Sequence, residues 1–249
     1  MAGRTHQTEA VVLRSFRLGE ADRVLHLYTV ADGRAGAVAK GVRKTKSRFG
    51  GRLEPLSHVE LSLHRGAGDL HTITGVDLVR SHRETREDYG KLSVGLIGAE
   101  AMLRLFVEEE PNPRAFQALT RFLDVLDEAG PRRGRPELDA LALSFQLKLL
   151  WVAGYLPHLT SCAECGVDDA PLVGYSPRAG GAVCRACAGA HGALGLTQPG
   201  IAGIEELLRR PLAEADAVDL AERSARDALT VITASYEYHG GFRLRTLSA

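Results

Sequence analysis

His58-Val59-Glu60-Leu61-Ser62-Leu63-His64 decides the fold of the first third of this 249-residue chain. Polar and apolar side chains alternate there with period two, the pattern of a strand with one face buried. Outward from it, Ala10 to Phe16, Arg23 to Val30, Gly36 to Ala39 and Leu70 to Val79 are rich in apolar and β-branched residues. Turn signals separate these runs at Leu18-Gly19-Glu20, Asp32-Gly33 and Gly66-Ala67-Gly68-Asp69. Five short strands within residues 1–80 predict a small closed or nearly closed β-barrel, because five strands cannot form two proper sandwich sheets.

The period changes at residue 81. Leu92, Leu96, Ala99, Leu103 and Phe106 follow the spacing of one helix face, and Ser81 with Glu84 offers a capping box or a linker. Glu110-Pro111-Asn112-Pro113 stops that helix. Phe116, Leu119, Leu123 and Leu126 mark a second helix, and Leu138, Leu141, Phe145, Leu149 and Val152 a third that ends near Gly154. Ile201, Ile204 and Leu208 predict a short helix, and Val218, Ala221, Ala225, Leu229, Ile232 and Tyr236 a longer one. The expectation is an α+β, multi-domain chain. A β-barrel domain at 1–80 precedes a helical domain at 81–249, which carries an insertion at 158–192.

Composition excludes several classes. Hydrophobic residues at 45% and charged residues at 25% are ordinary globular values, not those of a disordered chain. Four cysteines are too few for a disulfide-dense scaffold of this length. Met1 to Gln7 leads into no apolar signal region. Ser144, Gln146 and Lys148 interrupt the apolar stretch Leu141 to Leu156, which therefore reads as a buried soluble helix and not a membrane span. A cytoplasmic location is expected. Thirty-one basic residues balance 31 acidic ones, but unevenly: residues 1–80 carry 13 basic against 8 acidic side chains, and the rest of the chain is mildly acidic.

Every cysteine lies in the insertion. Cys162-Ala163-Glu164-Cys165-Gly166 and Cys184-Arg185-Ala186-Cys187 form a C-x2-C-x18-C-x2-C pattern, within the spacing window of zinc sites. Four thiolates fill a tetrahedral Zn²⁺ shell and leave no position for water, so one structural ion per chain is expected. Redox dithiols and an iron–sulfur cluster are the alternatives. His158 and His191 flank the cluster and are expected at the surface, because four sulfurs already complete the shell.

Lys40-Gly41-Val42-Arg43-Lys44-Thr45-Lys46-Ser47-Arg48-Phe49-Gly50-Gly51-Arg52 holds six basic residues in thirteen and no acid. Such a loop can lay cations along a phosphate backbone, and Phe49 within it could stack on a base. The bland alternative is a solvated loop with Phe49 tucked into the barrel. A basic run on a five-strand barrel favours nucleic acid, since OB barrels commonly bind single strands across one face. No phosphate-binding, dinucleotide, nucleophile-elbow or zincin motif is present, and the acidic run Glu108-Glu109-Glu110 reads as solvated surface. The expectation is a protein that is not an enzyme.

Several strings together resemble the RecO family of bacterial DNA repair proteins. They are Glu9-Ala10-Val11-Val12-Leu13-Arg14, Leu18-Gly19-Glu20-Ala21-Asp22-Arg23, Lys40-Gly41-Val42-Arg43, Leu147-Lys148-Leu149-Leu150 with Gly154-Tyr155-Leu156-Pro157, the two cysteine pairs with Gly180-Gly181, and Tyr238-His239 with Arg243-Leu244-Arg245-Thr246. They cover nearly the whole chain in order. The resemblance implies an N-terminal OB-fold, a helical domain and, in many members, a four-cysteine zinc site. It implies a recombination mediator and strand-annealing factor that binds single- and double-stranded DNA, pairs with RecR, touches the single-strand binding protein SSB and helps load RecA. It also implies DNA contacts at Lys40, Arg43, Lys44, Lys46 and Arg48, with Arg14, Arg17 and Arg23. The alternative is a zinc-containing interaction adaptor with no direct nucleic-acid contact.

Overall fold

A computed structural model describes residues 4–66, 68–189 and 192–247. Residues 1–3, Ala67 in the predicted turn at 66–69, and His191 lie outside the described residues. The chain divides into two compact units at Gly130/Pro131, so the helices from 81 to 128 share a unit with the barrel and do not join the later ones.

The five expected strands are present: β1 (Arg4–Leu18), β2 (Asp22–Thr29), β3 (Gly33–Ala39), β4 (His58–Arg65) and β5 (His71–Arg80). They pair in the cyclic order β1-β2-β3-β5-β4, with β4 returning to β1. The β3–β5 seam is parallel and short, holding only Ala37↔His71 and Val38↔Thr72. This is the five-stranded OB arrangement. Strand β1 serves both neighbours because it bends at a bulge between Val12 and Arg14, and bulges supply the curvature a barrel needs. Alternation on β3 buries Ala35, Ala37 and Ala39 and turns Arg34, Gly36 and Val38 outward. Those small alanines leave room inside for Leu25, Leu27, Leu61, Leu63 and Ile73. The basic loop also contributes to this core: Phe49, only 1% exposed, and Leu53 pack within it. Phe49 is thus a core residue and not a stacking platform, because burying its ring removes more apolar surface from water than the polar loop could otherwise cover.

Three helices complete the first unit: α1 (Arg83–Glu87), α2 (Tyr89–Leu105) and α3 (Pro113–Glu128). The Ser81/Glu84 capping box does not form; His82 stands at the cap with φ +45° and no side-chain cap. Its buried ring instead lies 2.7 Å from the Leu56 carbonyl and 3.0 Å from Asp124 Oδ1, tying the loop before β4 to α3. Asp88 caps α2, and Asn112 caps α3 with Pro113 in its first turn. The α3 face is as predicted, with Phe116, Leu119, Leu123 and Leu126 all buried. The α2 face is rotated from the prediction. Val94, Ile97, Ala101 and Met102 are buried while Leu96 is exposed. Small residues on that face admit close neighbours: a Cβ on Gly95 would sit 2.7 Å from Leu56 Cδ1.

The second unit holds α4 (Ala140–Val152), a three-stranded sheet of β6 (Leu172–Ser176), β7 (Gly181–Cys184) and β8 (Leu194–Gly195) in the order β7-β6-β8, the short α5 (Arg185–Ala188), α6 (Gln198–Arg209) and α7 (Glu222–Gly240). Asp139 and Thr197 cap α4 and α6. Leu141, Phe145, Leu149, Ile204, Ala228 and Ile232 build its core. Two buried tyrosines are satisfied by hydrogen bonds: the Tyr236 hydroxyl donates to Gln146 Oε1 at 2.5 Å, and Tyr175 meets Ser235 at 2.7 Å, seating the sheet on α7. Among the described residues no helix is long and apolar enough to cross a membrane.

Candidate metal centre and nucleic-acid face

The cysteines meet because two short structures place them. Cys162 and Cys165 sit on a turn closed by the Gly166 N–H, which donates to the Cys162 carbonyl at 2.8 Å. Gly166 has φ +75°, where a side chain would be strained. Cys184 ends β7 and opens α5, which carries Cys187. Backbone bonds join the halves: the Ala163 N–H donates to the Ala182 carbonyl at 2.8 Å, and the Cys184 N–H to Cys162 Sγ at 3.4 Å. The Gly180-Gly181 pair is explained here too, since a Cβ on Gly181 would lie 2.2 Å from the His158 carbonyl oxygen.

All four sulfurs lie within 4.8 Å of one another, and Cys165 and Cys184 are 3.9 Å apart. A tetrahedron of ~2.3 Å metal–sulfur bonds has edges of about 3.8 Å, so the donor set fits a single tetrahedral ion. The cysteines are free thiols. Burial opposes ionisation of Cys162, but N–H groups of Cys165, Cys184 and Glu164 outweigh it and bring the thiol down to about 6. Cys187, hydrogen-bonded to the Cys165 sulfur and then hindered by burial, is pushed up to about 12. Four sulfurs this close could all be thiolates only with a cation between them to offset their repulsion. His158 is exposed and bonds Ser161 Oγ at 2.7 Å, outside the ligand set.

The cations of the first unit occupy neighbouring positions. Lys40, Arg43, Lys44, Lys46 and Arg48 lie on the β3–β4 loop, and Arg14 and Arg17 are exposed on β1. Arg17 pairs across the sheet with Arg23, and Arg23 with Ala39, which precedes Lys40. Lys40, Lys44, Lys46 and Arg17 make no ion pair with a described residue. Arg43 donates to the Glu20 carbonyl at 2.9 Å, so its position is fixed while its charge stays uncompensated. Among the described residues, Arg23 alone of the eight has a carboxylate partner, Glu54 at 3.5 Å. Arg48 lies over the ring of Phe49 at 4.8 Å.

The aromatic surface on this face is one that motif reading missed. Phe16 is 38% exposed, with the Arg14 guanidinium 4.4 Å over its ring and His26 edge-on at 5.5 Å. The cross-strand registers Arg14↔His26↔Gly36 and Phe16↔Val24↔Val38 place them side by side on the outer surface of β1, β2 and β3. Burial lowers the His26 pKa, with Glu108 opposing that shift and Arg14 and Arg34 adding to it. The signal was available: alternation along Arg14-Ser15-Phe16 puts Arg14 and Phe16 on one face.

Comparison with known proteins agrees with this geometry over the whole chain. Residues 1–82 match the family model described as Recombination protein O N terminal, and residues 86–248 match Recombination protein O C terminal. The chain is 41% identical over 214 residues to the DNA repair protein RecO of Rubrobacter xylanophilus, covering 84% of this chain and 83% of that one. It is 36% identical over 238 residues to that of Anaeromyxobacter sp. (strain K), covering 94% and 91%. It is 37% identical over 236 residues to that of Thermobifida fusca, covering 94% and 93%. With an OB barrel, a four-cysteine cluster and matches to both halves of the family, this chain belongs to the RecO family of DNA repair proteins.

Proposed function

We propose that the protein is a recombination mediator that binds single- and double-stranded DNA through the outer face of its barrel, anneals complementary strands, and acts with RecR and SSB to promote RecA loading in the cytoplasm, at the nucleoid. It works by binding, not as an enzyme. One observation carries the reading: uncompensated lysines at 40, 44 and 46 adjoin a sheet surface that presents Phe16 and His26. Lysines neutralise phosphates without reading sequence, and an exposed ring stacks on any base. Weak, sequence-tolerant contacts of this kind hold two strands close and still let them slide into register. Cys162, Cys165, Cys184 and Cys187 would hold one Zn²⁺, whose contribution is a crosslink in a segment too small to build a core of its own.

The deciding experiment is annealing of complementary oligonucleotides coated with SSB, with and without the protein. Faster annealing with the protein is expected. No acceleration, together with no salt-sensitive oligonucleotide binding, would leave the zinc-containing adaptor as the reading. Phe16→Ala is expected to weaken single-strand binding by about 1–3 kcal/mol, the range for one stacked base, with a smaller effect on duplex. Fluorescence anisotropy on both substrates measures this, and equal losses on both would mean that the ring does not stack.

A further inference from the structure

The carboxylates Glu108-Glu109-Glu110 are exposed, as expected, but two of them are also paired. They form a strap between α2 and α3 that is fastened to the start of β3. Glu108 bridges Gly33 and Arg34, and the Glu109 N–H donates to the Arg34 carbonyl at 3.2 Å. The Glu110 carbonyl closes over Gly33, where an added Cβ would approach to 2.1 Å. Held this way, the strap sets two carboxylates on two arginines: Glu108 Oε1 lies 3.1 Å from Arg34 Nη2, and Glu109 Oε1 lies 2.5 Å from Arg65 Nη2. Glu109 adopts φ +58°, a left-handed backbone costly for a residue with a side chain.

Beside the strap is a cavity of about 460 Å³, lined by Arg34, Arg65 and His71 among others. His71 is only 4% exposed, and its Nδ1 has no hydrogen-bond partner; Arg34 Nε is also without one. Buried polar atoms in native proteins are ordinarily satisfied, so hydrogen bonding around these two side chains is incomplete in the free chain. Arg34, Arg65 and His71 share the lining of this space with Asp69, Glu108 and Glu109; with the glutamates moved aside, the two guanidinium groups offer forked donors suited to a tetrahedral oxyanion. The glutamate carboxylates stand on those same donors.

We propose that Arg34, Arg65 and His71 form a phosphodiester subsite of the barrel, which the Glu108 and Glu109 carboxylates cover until a DNA strand displaces them. The inference rests on the DNA-binding reading above and adds a ligand class and a path to it. Arg34 faces outward on β3, and Lys40 follows it by six residues, a strand length of about 20 Å. That span accommodates several nucleotides, within the range an OB fold covers. Glu108 and Glu109 are more than half exposed, so their side chains can swing away while the strap backbone stays bonded to β3. Exchange of carboxylate for phosphate leaves each arginine paired throughout, which keeps binding reversible.

The test is oligonucleotide binding across a salt series by the full chain and its Glu108→Gln/Glu109→Gln variant. The variant is expected to bind single strands several-fold more tightly. Its slope of log affinity against log salt should steepen by about 0.7 for each arginine released. Glu60→Gln/Asp77→Asn, which neutralises two exposed carboxylates paired across β4 and β5, makes the same change in net charge and should have the smaller effect. Adding Arg65→Gln to the Glu108/Glu109 variant should cancel part of its gain. If the strap variant matches the control pair in affinity and slope while the unmodified chain binds DNA, the subsite is wrong and the DNA-binding reading stands. If no form of the chain binds DNA at low salt, both fall together.

Discussion

Reversing charge at Arg43, Lys44 and Lys46 together lowers affinity for single-stranded oligonucleotide by about two orders of magnitude at low salt, and flattens the salt dependence by about 0.7 for each phosphate no longer neutralised. The physical basis is the state of these side chains in the free protein. Neither lysine has a carboxylate among the described residues to release before it can meet a phosphate. The fold should tolerate the change. Among the described residues the Lys44 and Lys46 side chains make no hydrogen bond or ion pair, and Arg43 gives up one exposed hydrogen bond to the Glu20 carbonyl, worth about 1 kcal/mol. The loop keeps its anchors, because Phe49 and Leu53 remain in the barrel core and the Arg43 N–H still donates to the Ala21 carbonyl. Anisotropy titrations measure the affinity, and a thermal melt checks that the barrel survives. Unchanged affinity in a folded variant would move the phosphate path off this loop.

Replacing Cys162 by Ser is expected to have the largest effect on stability. Cys162 is buried, and its sulfur accepts the Cys184 N–H that joins the two halves of the cluster. Serine has a shorter bond to its side-chain oxygen and no thiolate, so bound zinc should fall from about one per chain to a small fraction of that. The loss of stability in the second unit should be about 5 kcal/mol. That is less than the ~10–16 kcal/mol a structural zinc supplies to an isolated finger, because Leu172, Tyr175 and Val183 still bury apolar surface there. Metal analysis with calorimetric melting tests this, and a strong chelator should reproduce the shift in the unsubstituted chain. A melt unmoved by both treatments would exclude a structural ion and return the C-x-x-C pairs to thiol chemistry.

The residues that could be read and those that could not differ in the range of the physics that fixes them. Alternation at His58–His64 and the turn signals around it reflect a period and a local backbone preference, so five strands could be placed along the chain. Helix α3 was legible because its apolar residues form a single stripe. Helix α2 was not, because Val94, Leu96, Ile97, Met102 and Leu103 surround it with apolar choices and only its neighbours select among them. Phe49 stands among cations in sequence and in the barrel core in space. Phe16 carries no motif, yet the β1–β2 register sets it beside Arg14 and His26.

By itself, then, the amino-acid order determined the barrel strands, the concentration of positive charge in residues 1–80 and the four-sulfur ligand set, since spacing and composition are properties of the chain. Tertiary structure alone decided which aromatic ring reaches solvent, which arginines are covered by carboxylates, and that the first three helices share the barrel's unit. Those outcomes depend on pairings between residues far apart along the chain: Leu56 against Gly95, Glu109 against Arg65 and Phe49 beneath the loop that carries it. Packing and electrostatics act through space, and no local pattern encodes which of several apolar or charged side chains they will select.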